Sequence, residues 1–514
     1  MPLLGVNSVR VALISGGTYP YRDGAVETWC ELLTAGLDEY RFHRVAALDA
    51  APGRPVGARR GRWGRQTRPE PPGTFVATAL RLASGPVRPG RGRGPALRQH
   101  RRTATHAAVL LCRGMLEEGP HSAEMFRSAL RRLAAISTDG THPLVGVPLV
   151  EVLLDAWRAA GGPSTAVARL TGRSPGTGLP WPVLRDAQVT ARALEHAVRA
   201  LCVPVPEVEL CHAVDGGLAT LVALGAKWRR GVPYVLTEHG LYLRSPLIED
   251  VGDRPAARAI LLRFLRSLTR LGYAEAGAIA LPTERMRRWA TRQGAERELL
   301  RVVPPGVEPR DYPHLREEPP EPVVVWLGPD DELPLILQAF ATLLRAVPDA
   351  RLIVAGSAPP YPTPERITFA GPVADRREAY ATARLVVVSG GHASMPYPLI
   401  ESMLCGRATV CTDNGGLAAM AGMGALVTPP GDPDRLAAAC ASLLTDARLR
   451  RELSSAARRR ARTLFTRNAM LDGFREEYAR ALSGRPGLVP ADGLAVPGGL
   501  ATADGLAVAD GIPA

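Results

Sequence analysis

Apolar positions along the chain fall into short β-branched runs that stop on glycine or a polar turn. Longer stretches between them repeat apolar residues every three or four positions, the pattern of strands alternating with helices. The strongest unit spans residues 384–420. Residues 385–388 read as a buried strand stopping at Ser389-Gly390-Gly391. A helix starting at Pro398 ends at Gly406, and residues 408–412 form the next strand before Asp413-Asn414-Gly415-Gly416. In open α/β sheets a ligand lies beyond the carboxyl ends of the strands, so both glycine loops and the helix start face one crevice. Free N–H groups and the helix dipole there suit a phosphate, and Glu401 in the first turn offers a carboxylate to sugar hydroxyls.

The same alternation runs through the whole chain. Residues 9–14 break at Ser15-Gly16-Gly17, and a helix follows with Trp29, Leu32, Leu33 and Leu37 on one face. Residues 42–48 continue the sheet. After helical stretches at 106–136, 148–170 and 181–201, a strand end reaches His212 and Asp215-Gly216-Gly217. Residues 232–237 then deliver Glu238-His239-Gly240 to a loop tip, where His239 is as well placed for chemistry as for structure. A helix at 256–271, a strand at 278–281 and residues 301–307 close the first half. Strands at 323–328, 351–355 and 367–369, with a helix at 335–346, restart the pattern. The expectation is an α/β protein of two doubly wound domains, with a last helix at 469–482 crossing back to the first.

Length and charge sharpen this picture. A chain of 514 residues accommodates two substantial domains, and a net charge of +13 raises nucleic acid or an anionic membrane as partners. Much of the arginine sits between residues 52 and 102, including Arg59, Arg60, Arg62 and Arg65, where few apolar side chains offset ordering entropy. A solvated, disordered insertion is favoured over a nucleic-acid-binding arm, because no aromatic or helical readout element accompanies it. From Gly484 the chain is low in complexity, repeating Ala-Asp-Gly-Leu-Ala-Val at 491–496 and 503–508, and reads as a disordered tail. Seven cysteines without metal or redox spacing point to a reducing cytoplasm. There is no uninterrupted apolar span of about 20 residues, so the expected location is cytoplasmic, with peripheral attachment to the inner face of the membrane through a partner left open.

Four segments carry a resemblance: GTYPYRDGAVETW at 17–29, HAVDGGLATLVALGAKWRRGVPYVLTEHGLY at 212–242, PPGVEP at 304–309 and MPYPLIESMLCGRATVCTDNGG at 395–416. Together they resemble GT-B glycosyltransferases of retaining family 4, and are most similar to the branch associated with Pel-type exopolysaccharide synthesis. The resemblance implies an acceptor-side Rossmann-like domain at 1–305, a nucleotide-sugar domain at 306–468, a crossover helix at 469–483 and a tail at 484–514. It implies that Gly24 and Ala25 approach a diphosphate, that His239 is the catalytic cleft histidine near the sugar, and that Glu401, the second glutamate of an E-x7-E motif, binds ribose. Pro396, Tyr397, Leu399, Ile400, Gly415 and Gly416 would complete the donor site. A nucleotide diphosphate sugar would be the donor substrate, with no cofactor and no metal, and the acceptor a glycan or lipid-linked sugar. A membrane-bound polysaccharide synthesis component would be a partner; nucleic acid would not.

The chain departs from that pattern at three places. The first glutamate of E-x7-E falls on Ala393, Pro305 stands where the family carries asparagine, and the loop expected to supply Gly-Arg and a lysine reads Gly328-Pro329-Asp330-Asp331-Glu332. Arg22, Arg244 and Arg285 are candidates to replace the missing cations. Two readings stay open: an active transferase with a divergent donor site, and a catalytically impaired member serving as a binding or scaffold subunit of a polysaccharide assembly complex.

Overall fold

The computed structural model describes residues 8–16, 25–48, 78–81, 95–137, 142–160, 179, 183–240, 248, 251–355, 365–371, 376–389, 395–413 and 416–483. Two parallel sheets organise them. The first contains β1 (Arg10–Ser15), β2 (Arg41–Leu48), β3 (Thr78–Arg81), β4 (Leu210–Ala213), β5 (Tyr234–Thr237), β6 (Ala278–Leu281) and β7 (Leu300–Val302), in the order β3-β2-β1-β4-β5-β6-β7. The second contains β8 (Val323–Leu327), β9 (Arg351–Val354), β10 (Ile367–Phe369), β11 (Leu385–Ser389), β12 (Ala408–Thr412) and β13 (Leu426–Thr428), in the order β10-β9-β8-β11-β12-β13. In both sheets the order reverses beside the first strand, at β1/β4 and at β8/β11, which opens a crevice at the carboxyl ends there.

Strands buried on both faces explain the near-continuous apolar runs. Along β1, Ala12 and Ile14 join the core packed around the first domain's helices. Val11 and Leu13 face the other way, into a cluster shared with the second domain. That shared cluster unites Trp29, Leu33 and Val214 of the first half with Met395, Tyr397 and Leu399 of the second. The helix Arg467–Ser483 is also part of it: Phe474 and Tyr478 are fully buried, and Tyr478 packs edge-on against His212 beneath the first sheet.

The reading of 52–102 as one disordered insertion needs correction. Thr78–Arg81 is a strand parallel to β2, and a helix at Pro95–Leu116 begins inside the arginine-rich stretch. Ladder hydrogen bonds to β2 and the buried Ala104, Ala107, Ala108 and Leu111 farther along that helix supply what composition alone lacks. The rest of 52–102 and the tail from 484 lie outside the described residues.

Candidate functional site

The described candidate residues lie at the carboxyl ends of β1, β4 and β5 in the first domain and at 395–413 and 416 in the second. At the end of β4, Asp215 crosses to β1: its carboxylate accepts the N–H of Gly16 at 3.0 Å and that of Gly217 at 2.8 Å. A Cβ on Gly16 would stand 2.6 Å from Asp215 Oδ2, and one on Gly216 2.4 Å from Glu238 Oε2. These glycines therefore make room for the protein's own carboxylates. That is a structural reason for glycine at two of the breaks that follow the strands.

Glu238 is buried and accepts a hydrogen bond from the Tyr273 hydroxyl at 3.1 Å. Burial, reinforced by the nearby Asp215 charge, pushes its carboxyl up to about 8, so it holds its proton at neutral pH. Burial likewise raises Asp215 above the ordinary carboxylate range.

His239 is not at an exposed loop tip. Only 8% of it is accessible, and its ring meets Trp29 edge-to-face with centroids 4.6 Å apart. Burial, with His212 close by, drops it to about 3, so the imidazole is neutral. Neither Nδ1 nor Nε2 has a hydrogen-bond partner among the described residues. His212, one strand earlier, is the contrast: Nδ1 meets the Tyr478 hydroxyl at 2.7 Å and Nε2 the Thr237 hydroxyl at 2.6 Å. Two buried histidines thus differ in kind, one with both ring nitrogens hydrogen-bonded and one with neither.

Across the gap, the helix Tyr397–Cys405 starts at Pro396 and ends on Gly406 in the left-handed conformation, φ 72°. Its first turn is less available than expected. The Tyr397 N–H donates to Met395 O at 2.9 Å, and those of Leu399 and Ile400 donate to Pro396 O at 3.0 and 3.3 Å. Pro398 has no N–H, so the first turn offers no spare donor to an anion. Leu399 and Ile400 are core residues with no exposure. The Tyr397 hydroxyl, by contrast, is buried without a partner, and burial, with Cys30 of the first domain close by, holds it above its ordinary range.

Glu401 departs furthest from expectation. It is 2% exposed, and its carboxylate is gripped by Arg376 through two hydrogen bonds of 2.6 and 2.5 Å and by the Tyr380 hydroxyl at 2.7 Å. Burial pulls the Arg376 guanidinium down, but bonding to Glu401 outweighs it and the net shift is upward. The carboxylate expected to meet ribose is therefore held by a bidentate ion pair within its own domain.

Gly416 adopts φ 141°, and a Cβ on it would lie 3.5 Å from Thr283, the residue that caps the helix Glu284–Arg292 of the first domain. The loop after β12 thus touches the opposite half. Ala25 is the exposed first residue of the helix Ala25–Thr34. Gly24, Gly415, Arg22, Arg244 and Ala393 lie outside the described residues. Arg285 is exposed, as are Asp330 and Asp331 of the acidic loop. Of the expected residues, His239 is buried against Trp29, Tyr397 is buried with its hydroxyl unpartnered and Gly416 lies beside Thr283, whereas Glu401 is committed to an ion pair and Leu399 and Ile400 to the core. Sequence reading missed Arg376, Tyr380 and the pairing of Asp215 with Glu238. Only the Asp-Gly-Gly and Glu-His-Gly strand ends signalled the latter.

Among the described residues no three side chains form a metal-binding group, and no helix is long and apolar enough to cross a membrane. All seven cysteines are free, six of them buried; burial pushes Cys112, Cys411 and Cys440 up to about 12.

Comparison with known proteins agrees with this architecture. Residues 321–446 match the family described as Glycosyl transferases group 1. Residues 9–54 and 177–298 match a Domain of unknown function (DUF3492). A D-inositol 3-phosphate glycosyltransferase of Segniliparus rotundus is 30% identical over 291 residues, 50% of this chain and 63% of the relative. The chain thus spans less than two thirds of that relative's length. Among solved structures, sucrose-phosphate synthase from Thermosynechococcus elongatus aligns with a TM-score of 0.52 at 16% identity, over 93% of this chain and 100% of the other. A glycosyltransferase from Rickettsia africae aligns with a TM-score of 0.50 at 11% identity, over 93% and 100%. Residues 321–446 are thus similar to a group 1 glycosyl transferase domain, within a chain whose two-domain α/β architecture is the GT-B fold.

Proposed function

We propose that the chain transfers a sugar, with retention, from a nucleotide diphosphate sugar to a glycan or lipid-linked acceptor, in the synthesis of an exopolysaccharide or cell-surface glycan. The observation that supports this reading is the His239 ring at the carboxyl end of β5, buried against Trp29 with both nitrogens unpartnered. A neutral imidazole donates from one nitrogen and accepts at the other, which matches two neighbouring sugar hydroxyls better than a phosphate. The Tyr397 hydroxyl, also unpartnered, adds a third polar contact from the second domain. In this reading Glu401 reaches ribose only by exchanging Arg376, which frees a cation beside the leaving diphosphate where the Gly328 loop supplies none.

The test is calorimetric titration of uridine, guanosine and adenosine diphosphates, followed by hydrolysis assays with the sugar donors of whichever binds. Binding of one nucleotide, with donor turnover lost in His239→Ala, is the expected result; absence of any nucleotide binding overturns the reading. The scaffold alternative is favoured by the occupied Glu401 and the acidic loop after β8. It predicts nucleotide binding without turnover.

A further inference from the structure

The two chain crossings between the halves run side by side. Val307 N–H donates to Phe465 O and Arg467 N–H to Val307 O, both at 2.9 Å, in a parallel bridge between Val307 and Thr466. The approach is so close that a Cβ on Gly306 would stand 2.6 Å from Thr466 O. Beside this bridge opens a recess of about 490 Å³, lined by Glu308, Arg310, Arg462, Thr466, Arg467 and Asn468. Three arginines face one carboxylate, and that carboxylate already accepts the Arg310 backbone N–H at 3.4 Å. Among the described residues no carboxylate pairs with Arg310, Arg462 or Arg467, and the Arg467 Nε is buried with no partner at all.

The positive field extends beyond the recess. Arg462 also lines a neighbouring cavity of about 380 Å³ with His314, Arg316 and Arg458. The carboxylate there, Glu318, is taken by Arg450 through bonds of 3.0 and 2.7 Å. Arg458 is lowered by burial and then by Arg462 and Arg316, and His314 by burial and then by Arg458, Arg316 and Arg407. In both cavities arginines crowd together with no carboxylate left over to balance them.

We propose that the recess at the Val307–Thr466 bridge binds a small, multiply charged phosphate anion, gripped by Arg310, Arg462 and Arg467. Guanidinium forks match phosphate oxygens in pairs, and three arginines against Glu308 leave an excess of two positive charges, the charge of a phosphate group near neutrality. Thr466 and Asn468 supply neutral hydrogen bonds at the rim. The site is distinct from the His239 gap and does not depend on the glycosyl transfer reading.

Isothermal titration of the full chain with inorganic pyrophosphate tests it. The expected result is saturable binding that weakens as salt rises and falls at least about tenfold in Arg310→Gln/Arg462→Gln. Arg448→Gln, on the helix that carries Arg462 but paired with Glu452, leaves it unchanged. Pyrophosphate entering the nucleotide gap instead would bind the double variant with wild-type affinity, and that result overturns the proposal. So does binding to phosphatidylglycerol vesicles without any affinity for pyrophosphate, which would assign these arginines to a membrane surface. The titration contains no sugar donor, so a failure of transferase activity leaves its outcome untouched.

Discussion

The first domain's His239 and the second domain's Glu401 are both buried and are solved in opposite ways. His239 is packed for shape by Trp29 but left unsatisfied in hydrogen bonding. Glu401 is satisfied completely, by Arg376 and Tyr380. A buried polar group without a partner costs about 1–3 kcal/mol, and a fold that carries one has a use for it. A buried carboxylate paired bidentately is stable as it stands and takes a new ligand only by trading the old one. On the proposed reading, the first domain would present a preorganised contact and the second a contact that has to be exchanged.

The largest expected effect breaks the His239 side. His239→Ala should lower donor turnover by about 10²–10⁴-fold, the range found when a positioned polar catalytic group is removed. Its melting temperature should fall as well, because the buried ring leaves a cavity beside Trp29. A variant that keeps full turnover would remove the histidine from the chemistry.

Next in size is the ion pair. Arg376→Ala leaves the Glu401 carboxylate buried without its cation, and urea unfolding should register a loss of about 2 kcal/mol, below the usual figure for a buried pair because Arg376 is one-third exposed. Glu401→Gln, which still meets Tyr380, should cost less. If Arg376→Ala were silent in stability and in nucleotide affinity, the pair would be an incidental contact and the contrast with His239 would vanish.

The pH dependence of stability probes the first domain's side of the comparison. Unfolded, the Glu238 carboxyl ionises at its ordinary 4.5, whereas folded it keeps its proton to about 8. Unfolding therefore releases a proton in that window, and stability should fall as pH rises from about 4.5 to about 8, by roughly 1.4 kcal/mol per unit at most. His212 and His239, held neutral down to about 3, act on the other limb. The unfolded chain takes up their protons below about 6.5, so stability falls as pH drops from there. Melting curves across pH should peak near about 6.5, and Glu238→Gln should flatten the alkaline limb while leaving the acid limb steep. An alkaline limb unchanged in that variant would move its origin elsewhere.

The smallest effect concerns the loop that touches Thr283. Gly416→Ala has room for the methyl, since the nearest atoms lie at 3.5 Å, but it forces an L-residue to φ 141°. A loss of about 1 kcal/mol is expected by calorimetry. A gain would show that the backbone relaxes there.

Much of the scaffold was legible because it follows from local chemistry. The strand at 278–281 and that at 408–412 match the structure to the residue, since buried parallel strands need uninterrupted apolar runs and turns at their ends. Gly406 marks a helix end for the same kind of reason, a left-handed backbone position that suits glycine. The strand at Thr78–Arg81 and the helix from Pro95 were hidden, because arginine, glycine and proline dominate the stretch and their order comes from β2 and from packing farther along the chain.

The sequence by itself determined the alternation of strands and helices, the two sheets it builds, and His239 as a residue to watch. Tertiary structure alone decided which side chains meet. Gly16 accommodates Asp215 from 199 positions away, Glu401 finds Arg376 25 positions upstream, and His212 is closed off by Tyr478 at a separation of 266. The physical reason is that periodicity reports burial along one segment. The satisfaction of a buried charge depends on what another segment brings within about 3 Å, a distance fixed only once the sheets and the crossing helix have packed.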